Sequence, residues 1–337
     1  MIRWLMFFAL VTASSDSFAA EWVRAALTTN AMVWGRPGGL LFAIPPAGFH
    51  PPEPRGLIRL GYPALTNGGY DLINFIAIEP VVKGRKGLSE LEMSQLDSKP
   101  GKRLTVLPSG TTAASAPNAG IVTRISPEVE ELTVKVQVER FDNGAEVILE
   151  IRQRSDRPDE ITLIARTAPA SASMDFCILT ATMGNRTRAR ELWLKDRTVR
   201  GPQLYSNFHN LDFAPHTVYP LDRLLRLQNG DAIVALTNDE EDPAATLAFP
   251  QRPSHFWNYQ GTKLTQYWKK PALVRNTLPG DLTAVVNARY VYWGSRQPIP
   301  GGVSFENFEL REPFRDDEAG QRQIFGITRR TPQDLGF

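Results

Sequence analysis

The segment 131–151, ELTVKVQVERFDNGAEVILEI, has the clearest secondary-structure pattern in this 337-residue chain. Apolar residues occupy every second position over 132–138 and again over 147–151. Side chains of a strand alternate between two faces, so a period of two indicates strands with one buried face. Between the two runs, Asn143 and Gly144 tolerate the positive φ that a tight hairpin turn demands. The segment therefore predicts an antiparallel β-hairpin.

Similar short apolar runs recur along the chain, among them GLIRLGY, YDLINFIAIEPVV, FCILTATM, DAIVALTN and LTAVVNARYVYW. The 26 prolines and 25 glycines fit short strands joined by turns. Only segment 87–98, GLSELEMSQLDS, resembles a helix, with Ser89 as a candidate N-cap. The sequence predicts an all-β protein. Its expected fold is a large antiparallel two-sheet β-sandwich, jelly-roll or supersandwich-like, with few or no long helices.

The first residues have the features of an export signal. Arg3 supplies a positive charge, an apolar run follows over 5–11, and Ser17 and Ala19 place small residues before a cleavage point. The apolar run is shorter than the roughly 20 residues that a membrane-spanning helix needs. We therefore expect a signal peptide at 1–19 and a secreted or periplasmic protein.

The rest of the chain divides into four parts. Residues 20–106 form an N-terminal β region, which we expect to join the same assembly because a few short strands alone bury little surface. Residues 107–119 are small and polar and predict a flexible linker or loop. Residues 120–312 form the main sandwich. The tail, 313–337, contains an apolar IFGI that offers a candidate last strand.

Composition excludes several functional classes. The 38 basic and 36 acidic residues leave a net charge of +2, which gives no support to nucleic-acid binding. Cys177 is the only cysteine, so an intramolecular disulfide is impossible, and its apolar surroundings indicate a buried thiol. The chain lacks GxSxG, HExxH, CxxC and dinucleotide-binding glycine motifs, and we predict no cofactor.

Segment 209–223, HNLDFAPHTVYPLDR, holds two of the four histidines. Pro215 disfavours a helix, so spacing alone does not bring His209, Asp212 and His216 together. As an acid–base site, a histidine would transfer a proton and Asp212 would orient it. A packed connection between strands is the plain alternative. We take these three residues as catalytic candidates and predict no metal, because a metal site would need further ligands such as His50, His255, Glu79 or Asp222.

Segment 254–271, SHFWNYQGTKLTQYWKKP, combines aromatic rings with amides and cations. Aromatic rings stack on the C–H faces of sugars, and they also form ordinary cross-strand pairs. Strand alternation places Tyr267 and Trp268 on opposite faces, so we expect at least one ring to face outward. The substrate-binding candidates in this segment are Trp257, Tyr259, Tyr267, Trp268 and Lys269.

Two charged segments complete the candidates. In EPVVKGRKG, Lys83 and Arg85 are cations suited to an acidic glycan, or to a solvated turn. In SFENFELRE, a regular strand would place Glu306 and Glu312 on one face and Glu309 on the other. Glycoside hydrolysis needs a carboxylate pair, but solvent-facing charges on an edge strand are the simpler expectation.

The many short strands with scattered aromatic residues and histidines are similar in architecture to bacterial carbohydrate-active β-sandwiches, such as mutarotase-like supersandwiches and jelly-roll lyases. Architecture alone does not define function, and no family residue is carried over. We expect an exported protein that binds a poly- or oligosaccharide, neutral or acidic, without spanning the membrane. Lyase, epimerase or hydrolase activity stays open. The alternative is a non-catalytic structural or protein-interaction protein of the bacterial cell envelope.

Overall fold

The computed structural model describes residues 21–28, 32–45, 55–64, 68–110, 115–183, 188–238, 263–272, 278–291, 296–299, 301–317 and 319–337. The predicted signal peptide lies outside these residues. In the described ranges nearly all regular structure is strand. Those ranges contain one α-helix, α1 (Gly201–Leu204), and one 3₁₀ turn, Leu221–Arg223. No helix of the described ranges is long and apolar enough to cross a membrane.

The strands, in chain order, are β1 (Val33–Gly35), β2 (Leu41–Ala43), β3 (Leu57–Tyr62), β4 (Asp71–Val82), β5 (Arg85–Lys86), β6 (Leu104–Val106), β7 (Ile121–Ser126), β8 (Val129–Val138), β9 (Val147–Arg154), β10 (Glu160–Thr167), β11 (Phe176–Thr182), β12 (Glu191–Trp193), β13 (Thr198–Arg200), β14 (Thr217–Pro220), β15 (Leu225–Arg226), β16 (Ala232–Thr237), β17 (Thr265–Lys270), β18 (Thr283–Arg289), β19 (Ser304–Arg311) and β20 (Gln321–Thr328).

These strands form two antiparallel sheets. The first sheet has nine strands in the order β1-β2-β3-β4-β11-β19-β18-β14, with β5 paired to β4. The second has eleven strands in the order β13-β12-β16-β17-β20-β10-β9-β8-β6, with β15 paired to β16 and β7 to β8. The two sheets face each other across one apolar core. This architecture confirms the predicted all-β, two-sheet sandwich.

The predicted hairpin is present as the β8–β9 pair, with Val136 opposite Leu149. The Phe141 N–H donates to the Ala145 carbonyl at 2.9 Å, which closes a loop of three residues. Within that loop Gly144 has a φ of +88°. A three-residue hairpin loop needs one left-handed residue, so glycine is required at this position.

Strands from all parts of the chain share the two sheets. β4, from the N-terminal block, pairs with β11 over seven residue pairs from Phe176 to Thr182. β20, from the tail, lies between β10 and β17 in the second sheet. The IFGI segment thus forms the last strand of the chain, and within its sheet that strand is an interior one. Its residues Phe325 and Ile327 are fully buried in the core between the sheets.

Segment 87–98 forms turns, and no helix is present there. The Ser89 hydroxyl donates to the Gly56 carbonyl at 2.6 Å and accepts the Ile78 N–H at 2.9 Å. The Ser89 side chain, a candidate helix cap in the sequence, therefore bonds to the segment before β3 and to β4. Tertiary hydrogen bonds have overridden a weak local helix signal.

Trp268 lies at the centre of the core with no exposed surface. Its indole N–H donates to the Phe308 carbonyl of β19, in the opposite sheet, at 2.9 Å. Its ring packs on Phe325 with the centroids 4.8 Å apart. One side chain therefore joins the two sheets by both a hydrogen bond and ring packing.

A buried ion pair also links the sheets. Lys270, at the end of β17, places Nζ 2.5 Å from a carboxylate oxygen of Glu312, which follows β19. The same ammonium group donates to the Arg322 carbonyl at 3.0 Å. Both side chains are under a tenth exposed. Removing one partner would leave the other charge buried without compensation.

We expect Glu312→Leu to lower the free energy of unfolding by about 3–5 kcal/mol, because it strands the Lys270 charge. The double variant Lys270→Met/Glu312→Leu should recover most of that loss, since no charge is then buried. Urea denaturation measures both. Asp196→Ala, which breaks the exposed Arg223–Asp196 pair, serves as control and should cost less than about 1 kcal/mol. Equal losses for the single and double variants would contradict the expectation.

Candidate functional site

The loop that precedes β14 separates the three predicted catalytic residues. His209 packs edge-on against Tyr290 with ring centroids 5.0 Å apart. His216 places Nε2 3.4 Å from the amide nitrogen of Asn287. All three predicted residues are exposed. Within the described residues, Asp212 forms no hydrogen bond with either histidine, so it does not orient them.

His216 lies within electrostatic reach of the outer face of the first sheet. Partial burial lowers the pKa of its imidazole, and the positive charges of Lys86 and Arg311 lower it further. The carboxylate of Glu79 acts in the opposite direction. These interactions place His216 beside groups on β4, β5 and β19. A lowered pKa leaves the imidazole neutral near pH 7, where it can accept a proton.

A β-bulge in β19 decides which glutamates reach that face. Phe305 and Phe308 both point into the core, opposite Ala288 and Val286. Two residues of β19, 306 and 307, therefore oppose the single Asn287. A bulge of this kind shifts the alternation of the strand by one residue.

As a consequence, Glu306 and Glu309 share the outer face, whereas Glu312 points inward to Lys270. The expected regular alternation, with Glu306 and Glu312 together, is wrong for this reason. The expectation of solvent-facing charges on an edge strand is also wrong. β19 lies between β11 and β18, and all three glutamates are less than a tenth exposed.

Glu79, Thr180 and Glu309, on β4, β11 and β19, meet on this outer face, and we call them the carboxylate cluster. The Thr180 hydroxyl oxygen lies 2.8 Å from Oε2 of Glu79 and 2.6 Å from Oε2 of Glu309. Lys86 Nζ is 2.5 Å from the same Glu79 oxygen, and the Arg311 guanidinium is 3.1 Å from Oε1 of Glu309. Burial raises the pKa of Glu309, and the neighbouring Glu79 raises it further.

Glu306 lies on the same face and is 6% exposed. It forms no hydrogen bond or ion pair with any described residue. Burial raises its pKa from 4.5 to about 7, the Arg289 charge opposes this rise, and Glu90 adds to it. Glu90 also interacts electrostatically with Glu79 of the carboxylate cluster.

The raised pKa of Glu306 makes stability depend on pH. The folded state keeps this proton at pH values where the unfolded chain has lost it, so stability falls as pH rises from about 4.5 to about 7. Glu306→Gln removes this contribution. We expect the stability of the variant relative to the wild type to increase by about 3 kcal/mol across that window. Denaturant titrations at pH 4.5 and pH 8 test this, with Glu128→Gln, at an exposed position, as control. Parallel pH profiles for Glu306→Gln and wild type would contradict it.

The outer face of the second sheet carries two of the predicted substrate-binding residues, Tyr267 and Lys269. The Tyr267 hydroxyl donates to Oε1 of Glu160 at 2.7 Å, and Lys269 Nζ lies 2.5 Å from the same oxygen. A Cβ at Gly326, the residue opposite Tyr267, would lie 2.2 Å from the phenol ring. Any side chain at position 326 would clash with the tyrosine ring, so glycine is required there.

These side chains border an open pocket of about 410 Å³, which we call the Tyr267 pocket. Phe337 lies over it, with its ring edge-on to Tyr267 at a centroid distance of 5.5 Å. The wall of the pocket combines negatively charged and amide side chains with positively charged ones. The acidic and amide lining residues are Asp156, Asp159, Glu160, Asn229 and Asp231, and the basic ones are Arg157, Lys269 and Arg330.

The other predicted substrate-binding residues lie elsewhere. Trp268 points into the core, so burial gives it a structural role and leaves no ring face for a sugar. Its neighbour Tyr267 does face outward, but Phe337 and Glu160 cover most of its ring. Trp257 and Tyr259 lie outside the described residues.

Lys83 and Arg85 are exposed at the hairpin between β4 and β5. Lys83 and Gly84 both have positive φ, 49° and 73°, as a two-residue hairpin turn requires. The basic residue that the structure brings to a carboxylate is their neighbour Lys86. These cations are neighbours in the sequence, which carries no sign that Glu79 lies beside them.

No described group of three or more histidine, cysteine or acidic residues is arranged to hold a metal ion. His50 and His255 lie outside the described residues. Cys177 is buried, and burial raises the pKa of its thiol to about 12, so the thiolate is not formed near neutral pH.

The members of the carboxylate cluster come from strands far apart in the chain, so no local motif indicates the cluster. The run of three glutamates in SFENFELRE is the sequence signal for Glu309, and segment 254–271 is the signal for Tyr267 and Lys269. Comparison of the chain with protein-family models, with curated proteins and with solved structures finds no match.

Proposed function

We propose that this is an exported carbohydrate-binding protein, and that the Tyr267 pocket holds the sugar. The observation that carries the proposal is the combination in one open pocket of an aromatic ring with many hydrogen-bonding side chains. Ligand sites of small molecules occupy about 300–1,000 Å³, and a pocket of about 410 Å³ suits one or two sugar rings.

The chemistry of the wall matches that of a sugar. Each sugar hydroxyl both donates and accepts, so it pairs well with carboxylates, amides and cations placed side by side. Glu160 is held in place by Tyr267 and Lys269, which fixes the direction of its carboxylate before any ligand binds. The Phe337 ring is only partly buried and presents an apolar surface to the C–H face of a sugar.

The charges of the pocket favour a neutral sugar over a uronate. Four carboxylates line it against three cations. One of those cations, Lys269, is already paired with Glu160 at 2.5 Å. Asp156 is paired with Arg154 at 2.8 Å, but Asp159 and Asp231 form no ion pair with a described residue. A uronate would bring its charge close to these two carboxylates, and like charges at short range are unfavourable. Of the two partner types expected from the sequence, the neutral glycan is the one that this pocket supports.

Affinity electrophoresis of residues 20–337 in gels cast with single polysaccharides tests the proposal. We expect retardation by a neutral polymer and weaker or no retardation by uronate-rich ones. Phe337→Ala should lower the affinity roughly 5–10-fold, because it removes the stacking ring. Phe213→Ala, which truncates an exposed ring on the first sheet, is the matched control and should bind as the wild type does. Equal affinity of Phe337→Ala and wild type would refute the pocket as the binding site.

Absence of retardation by every polymer would instead favour the structural or protein-interaction role in the cell envelope. In that case, the aromatic residues of the pocket would serve packing alone.

Export is the second part of the proposal, supported by the charged, apolar and small-residue pattern of residues 1–19. Expression of the full chain in a bacterial host should give a protein that starts at Ala20 in the periplasm or medium. Mass spectrometry of the intact protein in each cell fraction measures this. Replacing two leucines of the apolar run, Leu5→Arg and Leu10→Arg, should keep the chain unprocessed. A full-length wild-type chain retained in the cytoplasm would show that residues 1–19 are not a signal.

A further inference from the structure

The turns of segment 87–98 place three large apolar side chains in solvent. Leu91 is 60% exposed, Met93 50% and Leu96 68%, the highest value among the large apolar residues that the structure describes. Neither apolar core includes any of the three. Exposed apolar side chains that lie close together and are bordered by polar groups mark a surface for interaction with a protein or a membrane.

The segment belongs to a hairpin-like loop, residues 89–102, which we call the Leu96 loop. Backbone hydrogen bonds of 2.7–2.9 Å close this loop from its base toward its tip, joining Lys102 to Ser89, Gly101 to Glu92, and Ser94 to Lys99. Only residues 95–98 lie beyond the last of these bonds. Leu96, the most exposed of the three apolar residues, is therefore at the tip.

Side chains fix the Leu96 loop in this shape. The Lys102 ammonium group has no exposed surface and donates to the Met93 carbonyl at 3.0 Å. The Glu139 carboxylate, from the loop between β8 and β9, accepts the N–H groups of Gln95 at 2.6 Å and Leu96 at 3.3 Å. A loop that is already ordered loses little conformational entropy when it binds, which favours association.

The unpaired charges beside the tip are positive. Lys99 and Arg103 are exposed, and neither forms an ion pair with any described residue. Glu139 binds the Leu96 N–H through one carboxylate oxygen and the Arg103 N–H, at 3.0 Å, through the other. Arg103 therefore lies beside Leu96, and two free cations flank the apolar tip.

The acidic side chains of the Leu96 loop already have partners or are partly buried. Asp97 accepts two hydrogen bonds from Arg55, at 2.6 and 3.0 Å, and these bonds hold the pKa of Asp97 well below its usual range. Glu92 lies 3.1 Å from the Lys102 ammonium group. Glu90, at the base of the loop, is partly buried, and burial raises its pKa. The charge that the loop offers to a partner is therefore positive.

We infer that the Leu96 loop docks on the surface of a lipid bilayer that contains anionic phospholipid. Leu91, Met93 and Leu96 enter the apolar side of the headgroup region, and Lys99 and Arg103 contact lipid phosphates. Buried apolar area and attraction to anionic lipids together set the strength of binding at a membrane interface. A protein partner fits the loop less well, because hot spots of protein interfaces are rich in aromatic residues, and segment 87–103 contains none.

Docking through the Leu96 loop leaves the Tyr267 pocket free. Residues 139–146, which support the loop, precede β9, whereas residues 156–159 of the pocket follow β9. A strand of eight residues spans roughly 26 Å. The bilayer and the pocket therefore lie at opposite ends of this strand, and lipid docking does not depend on the proposed sugar binding.

Vesicle flotation tests the inference with protein that starts at Ala20, because the apolar residues 1–19 would bind lipid by themselves. One vesicle type is phosphatidylcholine alone, and the other is two parts phosphatidylcholine to one part phosphatidylglycerol. We expect the protein to float with the anionic vesicles and much less with the neutral ones, since each cation near an anionic surface strengthens binding about 5-fold. Salt at about 0.5 M should weaken this binding by screening the charges.

Variants at exposed positions locate the docking surface. Leu96→Ser should lower the partition coefficient roughly 10-fold, because it removes an apolar group that enters the bilayer. Lys99→Gln should lower it about 5-fold on anionic vesicles and leave neutral ones unchanged. The matched controls are Leu211→Ser, at a leucine that is 47% exposed in the loop before β14, and Lys195→Gln, at an exposed lysine. Both controls should float as the wild type does, and circular dichroism checks that every variant is folded.

Flotation with anionic vesicles that Leu96→Ser loses and Leu211→Ser keeps supports the inference. Absence of wild-type flotation overturns it, and so does equal flotation of Leu96→Ser and wild type or equal binding to both vesicle types. Sedimentation velocity without lipid tests the other occupant. A wild-type dimer that Leu96→Ser turns into a monomer would assign the loop to contact between two copies of the chain and overturn lipid docking.

The polysaccharide gels separate this inference from the proposed function. Leu96→Ser should be retarded as the wild type is, because the Tyr267 pocket is unchanged. Flotation without retardation by any polymer would leave lipid docking standing and remove sugar binding. Retardation without flotation would do the reverse.

Discussion

The contact of Trp268 with Phe308 across the core sets the arrangement of both surfaces. The indole of β17 donates to a carbonyl of β19 and packs against Phe325 of its own sheet. Successive side chains of a strand point to opposite faces. Burial of Trp268 therefore turns Tyr267 to the outside of the second sheet, and burial of Phe308 turns Glu309 to the outside of the first. One internal contact thus orients the two candidate sites on opposite surfaces.

Polar groups between the sheets add specificity to this packing. The Asn74 amide donates to Gln266 at 2.8 Å, and the Gln323 amide donates to the Leu310 carbonyl at 3.0 Å. Each bond joins one sheet to the other at a defined position. A buried polar group is costly without its partner, so a shift of either sheet would leave several groups unpaired. Apolar packing holds the sheets together, and these bonds select one alignment.

The two candidate sites differ in how they hold charge. In the Tyr267 pocket, Glu160 lies against both a phenol and an ammonium group at the solvent boundary. On the first sheet, burial raises the pKa of Glu306 and of Glu309. A pocket of fixed, paired charges suits recognition, whereas carboxyl groups whose pKa is raised by burial suit proton transfer. The difference follows from burial, because all of these groups are carboxylates.

The sequence by itself determined the class of fold, because a period of two is a local property of each strand. The hairpin over residues 131–151 and its glycine follow from neighbouring residues alone. Local pattern also placed Tyr267 and Trp268 on opposite faces. It could not say which face would be buried, since that depends on the strand in the other sheet.

Only the tertiary structure decided the candidate sites. Glu79 and Glu309 are 230 positions apart in the chain and meet because β11 lies between their strands. The bulge opposite Asn287 reversed the expected faces of the glutamates, and pairing of distant strands made β19 an interior strand. Such pairings arise from the burial of the whole core, which is a property of all the strands together. The alternation of apolar residues along one strand therefore carries no information about which distant strands it pairs with.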